Sequence, residues 1–401
     1  MVNITVLLLA GLMAMAGNVN AAGFRLAEQD AKATGMGNSF VAVADNASAV
    51  WYNPAAITRL EGTNLSLGTV MVAPFMEHTN TSGTMDRVEK KVHVPPHFYA
   101  THKLSNKFSL GLGVNAPFGL STKWDNTANT SYVATKSEIT AINYNLNGAF
   151  KATEKISVAA GLSYVMVDAT LNRMASPFLP GVPANLKGDG KGMGYNAAAI
   201  YKLNDKWNFG ANYRSKVKVK LEGDLTTTSV TKIKADLTLP DMMQFGAAYK
   251  HSDKWLFSAE ADYTNWTTYR NIIIESDATG AMLSKDIKNW KSVWAFRAGA
   301  EHKVSDAWKF RAGAFYDMNP VGNKHFETRV PDSDRIAVSV GTGYTVGNIT
   351  IDASYMYLKF LERRITNSMG GDTAVSTTDK TMNGKYSAVA RLPAITVGYK
   401  F

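Results

Sequence analysis

From residue 62 onward, apolar and polar positions alternate with a period of two. ISVAAGLSYVMVDATL (156–171) places Ile156, Val158, Ala160, Leu162 and Tyr164 on one face, and Ser157, Ala159, Gly161 and Ser163 on the other. FSLGLGV, WNFGANY, WLFSAEADY, WKFRAGAFY and ITIDASYMY behave in the same way. Such alternation predicts β-strands with one apolar face. A recurring phrase introduces them: KLSNKFSLG at Lys103, KATEKISVA at Lys151, KLNDKWNFG at Lys202, KHSDKWLFS at Lys250 and KVSDAWKFR at Lys303, with YTVGNITID at Tyr344 as a looser copy. Each phrase is a short polar turn followed by an aromatic residue or Ile, and a spacing of roughly 40–50 residues suits an internal repeat.

The spacers between phrases are longer and rich in Gly, Asn, Thr and Pro, as in STKWDNTANTSY, SPFLPGVPANLKGDGKG and ERRITNSMGGDTAVSTTDK. Short turns at one end and long loops at the other predict an all-β fold, a transmembrane antiparallel β-barrel of the outer-membrane type. Six turns join twelve strands, and one strand before the first turn and one after the last bring the count to about fourteen. The C-terminal LPAITVGYKF, with Ile395, Val397, Tyr399 and Phe401 on one face, suits a closing strand.

Ile4 to Gly17 form an apolar stretch too short to span a bilayer as a helix. Val19-Asn20-Ala21 supply small residues for a signal peptidase, so residues 1–21 are expected to be a signal peptide cut before Ala22, although MVN carries no Lys or Arg. There is no cysteine for a disulfide. No later apolar run reaches the roughly 18–20 residues of a membrane helix, so a membrane-embedded mature chain has to be a barrel. The net charge of +10 is scattered without a recognisable nucleic-acid fold, and no nucleic-acid partner is expected.

Residues 22–61 do not alternate; their Gly, Ala, Ser and Asn suit short helical turns and coil. This stretch resembles the FadL family of outer-membrane transporters for hydrophobic compounds. The resemblance is carried by Ala22-Gly23-Phe24, GMGNSFVAVADNASAVWYNPA and Asn53-Pro54-Ala55. Further matches are FGLSTKW (118–124), NYRSKVKVKLEG (212–223), LTLPDMM (237–243), YTNW (263–266), VPDSDR (330–335) and the final GYKF. It implies a fourteen-strand barrel (62–401) whose lumen holds a hatch, or plug (22–61). Phe24, Trp51, Tyr52 and small neighbours would fill that space and exclude water. The family's third strand carries an inward kink through which substrate leaves sideways. FSLGLGVNAPFGL (108–120) matches it by position, with Gly111, Gly113 and Pro117 poor residues for a continuous strand. The plainer reading, that Pro117 marks a strand end and the glycines face packed neighbours, stays open. Pro393 is read as a bulge or strand end.

The same resemblance implies a substrate site. Leu171 and Arg173 match an apolar–basic pair in the binding pocket, Lys285 aligns with a loop cation, with Lys288 as the alternative, and Phe24 matches a hatch aromatic that touches ligand. Asn53, Pro54 and Ala55 are expected to hold the plug, and Gly113 and Pro117 to form the gate. Phe178, Leu179, Val182 and Leu186 make either a capture groove or an ordinary loop. The function implied is passive uptake of hydrophobic molecules, foremost long-chain fatty acids, with aromatic or alkane hydrocarbons as the alternative and a general porin or structural receptor barrel as the reading from another class.

No catalytic or phosphate-binding motif appears, and His93 and His97 lie in an extended VHVPPHF context unsuited to helical metal ligation. No enzyme activity, cofactor or metal is expected. The expected surroundings are outer-membrane lipid and lipopolysaccharide of a Gram-negative cell, with the barrel-assembly machinery engaging Phe401, and a monomer.

Overall fold

A computed structural model describes residues 23–176, 179–369 and 382–401. The signal-peptide cut before Ala22, Phe178 and the side chain of Leu179 lie outside them. Fourteen antiparallel strands form one closed ring, six of them broken into two segments. In chain order they are strand 1 (Thr63–Val70, Ala73–Asn80), strand 2 (Met85–Arg87, Pro96–Lys103), strand 3 (Phe108–Lys123), strand 4 (Lys136–Lys151), strand 5 (Ile156–Ser176) and strand 6 (Leu179–Lys202). Strands 7 (Trp207–Arg214, Val217–Thr226), 8 (Val230–Leu239, Met242–Lys250), 9 (Trp255–Thr264, Asn271–Ser276) and 10 (Met282–Ile287, Val293–Lys303) follow. Strands 11 (Trp308–Asp317), 12 (Arg335–Val346), 13 (Ile349–Ile365) and 14 (Gly384–Lys400) complete it. Asn64–Val70 pair with Ala394–Lys400, which joins the first strand to the last and closes the ring.

The repeated phrase has a local cause. Its third residue turns back to cap the coming strand: Ser105 accepts from the Phe108 N–H at 3.2 Å, Thr153 from Ile156 at 3.0 Å, Asn204 from Trp207 at 3.0 Å and Ser305 from Trp308 at 3.0 Å. The lysine that opens the phrase meets the acid three residues on, as in Lys151–Glu154 at 2.6 Å and Lys202–Asp205 at 2.7 Å. Exposed pairs of this kind add little stability; the side-chain-to-backbone bonds fix the turn. Phe108, Trp207, Trp255 and Trp308 then start their strands exposed on the outside, as in the aromatic girdle of an outer-membrane barrel.

The alternation reverses its sense along the strands. Nearer the short turns, Leu162, Tyr195, Phe209 and Phe245 face out while Asn145, Asn196, Asn212 and Gln244 are buried inside. Further along, Asp168, Lys191, Lys218 and Asp236 face out and Val219, Ile233, Leu237 and Leu239 are buried. The breaks in strands 7 to 10 fall at this changeover. The stretch expected as the long loop SPFLPGVPANLKGDGKGM is therefore largely strand: the register runs from Asp168↔Asp189 to Arg173↔Ala184. LKGDGKGMG alternates charged with small residues, which is a strand pattern once its outer face meets water. Pro393 is neither a bulge nor a strand end. It pairs with Tyr355 inside strand 14, and its carbonyl accepts from the Met71 N–H (2.9 Å) at the break in strand 1.

Residues 23–60 contain helix α1 (Ala31–Gly35), helix α2 (Ala49–Tyr52) and a 3₁₀ helix (Pro54–Arg59). They bond to inward groups around the whole ring: Gln29 O accepts from Tyr99 of strand 2, Trp51 O from Arg214 of strand 7, and Gly37 and Ala31 N–H donate to Ser339 of strand 12 and Thr396 of strand 14. Contacts on all sides place the segment inside the barrel.

Candidate functional site

The N-terminal segment is held by polar groups that the strands point inward. Asn53, fully buried, is the N-cap of the 3₁₀ helix; its Oδ1 accepts from Ala55 N at 3.2 Å, and Pro54 takes the first helical position, where no donor is needed. Its Nδ2 donates to Val41 O at 2.8 Å and to Ala199 O of strand 6 at 3.0 Å, tying two parts of the segment to the wall. Glu260 of strand 9 accepts from the N–H groups of Phe40 and Val41, both at 2.7 Å. The Arg214 guanidinium lies 3.9 Å over the Trp51 ring and donates to Trp51 O at 2.5 Å. Asp30 caps α1 through Ala33 N at 3.1 Å; burial, with Asp352 nearby, pushes its carboxyl up to about 6. Asn53→Ala removes the donor to Val41 O and Ala199 O together with the cap on Ala55 N, and is expected to weaken docking of the segment by about 2–4 kcal/mol. Limited proteolysis should show residues 31–60 cut faster while the barrel keeps its heat-modifiable gel mobility.

Strand 3 is where the wall opens. It pairs with strand 2 from Ser109 to Val114, and contact resumes at Glu89 N to Lys123 O, 2.8 Å. Against strand 4 the register slips between Asn115 and Phe118, so Ala116 and Pro117 together face the place of Ile142. The backbone that strand 2 leaves unpaired is taken by the N-terminal segment. Leu26 N donates to Pro117 O at 2.8 Å, Gly119 N to Phe24 O at 3.0 Å, and Gln29 Nε2 to Ala116 O at 3.0 Å. Gly113 lies outside this break, paired with Tyr99 and Asn145; a Cβ there would stand 3.0 Å from Val50. Gly111 likewise faces Val50. The glycines make room for the segment, and Pro117 marks the bulge.

A cavity of about 380 Å³ starts at this break. Phe315, Leu358 and Leu392, on the inner faces of strands 11, 13 and 14, line one side; Thr140 and Ile142, on the outer face of strand 4, line the other. Val72, Pro74, Val94 and Pro96 frame it. At its inner end Phe24 is boxed by Trp266, Tyr269, Trp290 and Phe118, with ring centroids 4.7, 5.6, 5.8 and 6.1 Å away. Gly23 is clamped beside it: its N–H donates to Asp332 Oδ2 at 2.8 Å and its carbonyl accepts from Arg335 at 2.5 Å. With φ at +65° and the Trp290 ring 2.7 Å from a would-be Cβ, only glycine fits there.

The remaining sequence-derived residues separate. Leu171 lines a second, apolar cavity with Leu186, Ile233, Leu237 and Ile274, inside the region beyond the changeover. Arg173 follows it on the same face of strand 5, two residues on. Lys285 pairs with Ile273 and stands on the outer face, whereas its neighbour Asp286 is buried. Lys288 is the inward cation, 1% exposed, held by Asp286 at 2.7 Å and by Glu327, with Arg329 3.5 Å from both carboxylates. Val182 is half-buried, and Leu186 belongs to the cavity. Of the aromatic box and the Asp332–Arg335 clamp, only the phrases FGLSTKW, YTNW and VPDSDR stood out in the sequence; Tyr269 and Trp290 carried no signal of their own, and Gly23 and Phe24, which they all meet, lie far upstream in the chain.

The family profile described as "Outer membrane protein transport protein (OMPP1/FadL/TodX)" matches residues 12–401. The 47 kDa outer membrane protein of Pasteurella multocida is 30% identical over 395 residues, covering 88% of this chain and 91% of that one. The long-chain fatty acid transport protein of Escherichia coli O6:H1 is 26% identical over 400 residues, covering 85% and 89%. Among solved structures, a Pseudomonas aeruginosa FadL homologue superposes with a TM-score of 0.82 at 19% identity, over 95% of this chain and all of that one. The Ralstonia pickettii toluene transporter TbuX gives 0.70 at 16%, over 96% and 99%. At these identities the superpositions speak for the fold.

Proposed function

The chain belongs to the OMPP1/FadL/TodX family of outer membrane transport proteins, and from that premise we propose that it takes up long-chain fatty acids passively and releases them sideways through the break in strand 3. Transport of hydrophobic compounds across the outer membrane is the family's work; its members are channels, not enzymes. The finer reading rests on one observation above the others. A single cavity joins the inner faces of strands 11, 13 and 14 to the outer face of strand 4 at the Pro117 bulge. Each buried CH₂ is worth about 0.8 kcal/mol, so an exit into lipid spares an acyl chain the cost of re-wetting that an aqueous exit would impose.

In this reading the apolar region beyond the changeover captures the chain, with Leu171 against the tail and Arg173 and Lys288 near the head. Lys285, facing out, takes no part. Residues 22–61 act as the plug, and Phe24 is its movable plunger: withdrawing the ring from its aromatic box, with loss of the Leu26–Pro117 and Gly119–Phe24 bonds, clears the cavity. Uptake of labelled oleate by a strain expressing the protein should rise above a vector control. No gain would remove the fatty-acid reading, and large steady ion conductance in a planar bilayer would support a porin instead.

The second reading, aromatic or alkane hydrocarbons, is favoured by the pairing of Lys288 with two carboxylates, which leaves it less charge to offer an anionic head. Competition separates the two: excess toluene suppresses oleate uptake strongly only if the cavity prefers the neutral compound.

A further inference from the structure

The segment SKVKVKLEG of strand 7 lies outside the transport path. Its Val217 and Val219 are buried inward, which leaves Lys216, Lys218 and Lys220 as three successive outward positions, all exposed. Lys191 of strand 6 stands directly opposite Lys220, and both are exposed. Like charges in direct register destabilise a sheet unless something offsets them. Nearby, Lys232 pairs with Asp224 at 2.8 Å; among the described residues no ion pair forms at Lys191, Lys216, Lys218 or Lys220. Asp236, opposite Lys220 on strand 8, is the one acid in their row.

Their height on the wall decides what can meet them. Two residues nearer the short turns, Met193 is the last apolar outward position of strand 6, and on strand 7 Tyr213 plays that part. At about 3.3 Å per residue, the lysines begin within about 7 Å of the lipid-facing band. One row further out, Asp168, Asp189 and Glu222 stand in register across strands 5, 6 and 7, with Lys234 of strand 8 next in the row.

We propose that Lys191, Lys216, Lys218 and Lys220 bind the phosphate groups of the phosphorylated glycolipid of the outer leaflet, lipopolysaccharide, as a fixed site on the outer wall. The face is continuous with the apolar band, so its occupant is a lipid; the lysines select an anionic headgroup at the level where acyl chains end. The three carboxylates on strands 5 to 7 above repel the same anion and disfavour its sitting further out. A phosphate between Lys191 and Lys220 removes the repulsion that the bare sheet carries.

The test uses the full barrel, purified in detergent, with phosphorylated lipopolysaccharide and a dephosphorylated lipid A as probes. Lys216→Gln, Lys218→Gln and Lys220→Gln together should weaken binding of the phosphorylated probe on the order of a hundredfold, about fivefold for each lysine. The dephosphorylated probe should bind the wild-type protein about as weakly. Lys155→Gln, Lys206→Gln and Lys254→Gln, in the short turns, should leave binding unchanged, and heat-modifiable mobility checks that each variant is folded. Equal binding by the strand 7 variant, equal binding of the dephosphorylated lipid, or an equal loss in the turn variant would overturn the proposal.

Discussion

Oxidising a cysteine pair placed at Arg25 and Phe118 should bring uptake down to the level of a strain lacking the protein, and reduction should restore it. Arg25 and Phe118 form an isolated antiparallel bridge, flanked by the Leu26–Pro117 and Phe24–Gly119 bonds. That makes them a non-hydrogen-bonded pair, with Cα atoms about 4.5 Å apart, inside the range a disulfide spans. The chain has no cysteine of its own, so the bond has no competitor. Replacing Arg25 leaves Asp262 paired with Arg297 at 3.0 Å, which limits damage to the lumen. The same variant in its reduced form is the control for lost side chains. Wild-type rates in the oxidised state would show that the segment need not part from strand 3, and the plunger mechanism would be abandoned.

Deleting Pro117 should separate binding from passage. At the bulge Ala116 and Pro117 occupy the place of one residue against strand 4; removing one restores an unbroken ladder from Asn115 to the following Phe. The wall then closes, and a chain in the cavity can leave only through water. With about 0.8 kcal/mol at stake per methylene and 1.4 kcal/mol per tenfold in rate, uptake of a long acyl chain should fall more than about a hundredfold. Ligand binding, read by quenching of the tryptophans around Phe24, should stay within about twofold. Uptake that survives the deletion would refute exit at strand 3.

Asn53 shows how far a local motif can be read. Asn53-Pro54-Ala55 reads as a rigid turn in the plug, and the cap on a 3₁₀ helix is that turn. The carbonyl it reaches on strand 6 has no local signal. Lys285 and Lys288 mark a sharper limit. Three residues apart, they have opposite parity in an alternating chain, so one faces out and the other is buried among carboxylates; which parity meets the lumen has no local signal.

Closure into a barrel, the strand number and the end that carries the short turns were legible along the chain. Those features depend on alternation and turn chemistry, set by residues within a few positions of each other; at Pro117 the chain signalled an interruption, and the pairing with strand 4 made it a bulge. Three-dimensional packing alone puts Phe24 in a box of four aromatics, lets Asp332 clamp Gly23 from 309 residues away, and turns the strands from apolar-out to polar-out partway along. Such contacts depend on which inward positions meet across the lumen, and that follows from the stagger of fourteen strands around a ring rather than from any neighbouring residue.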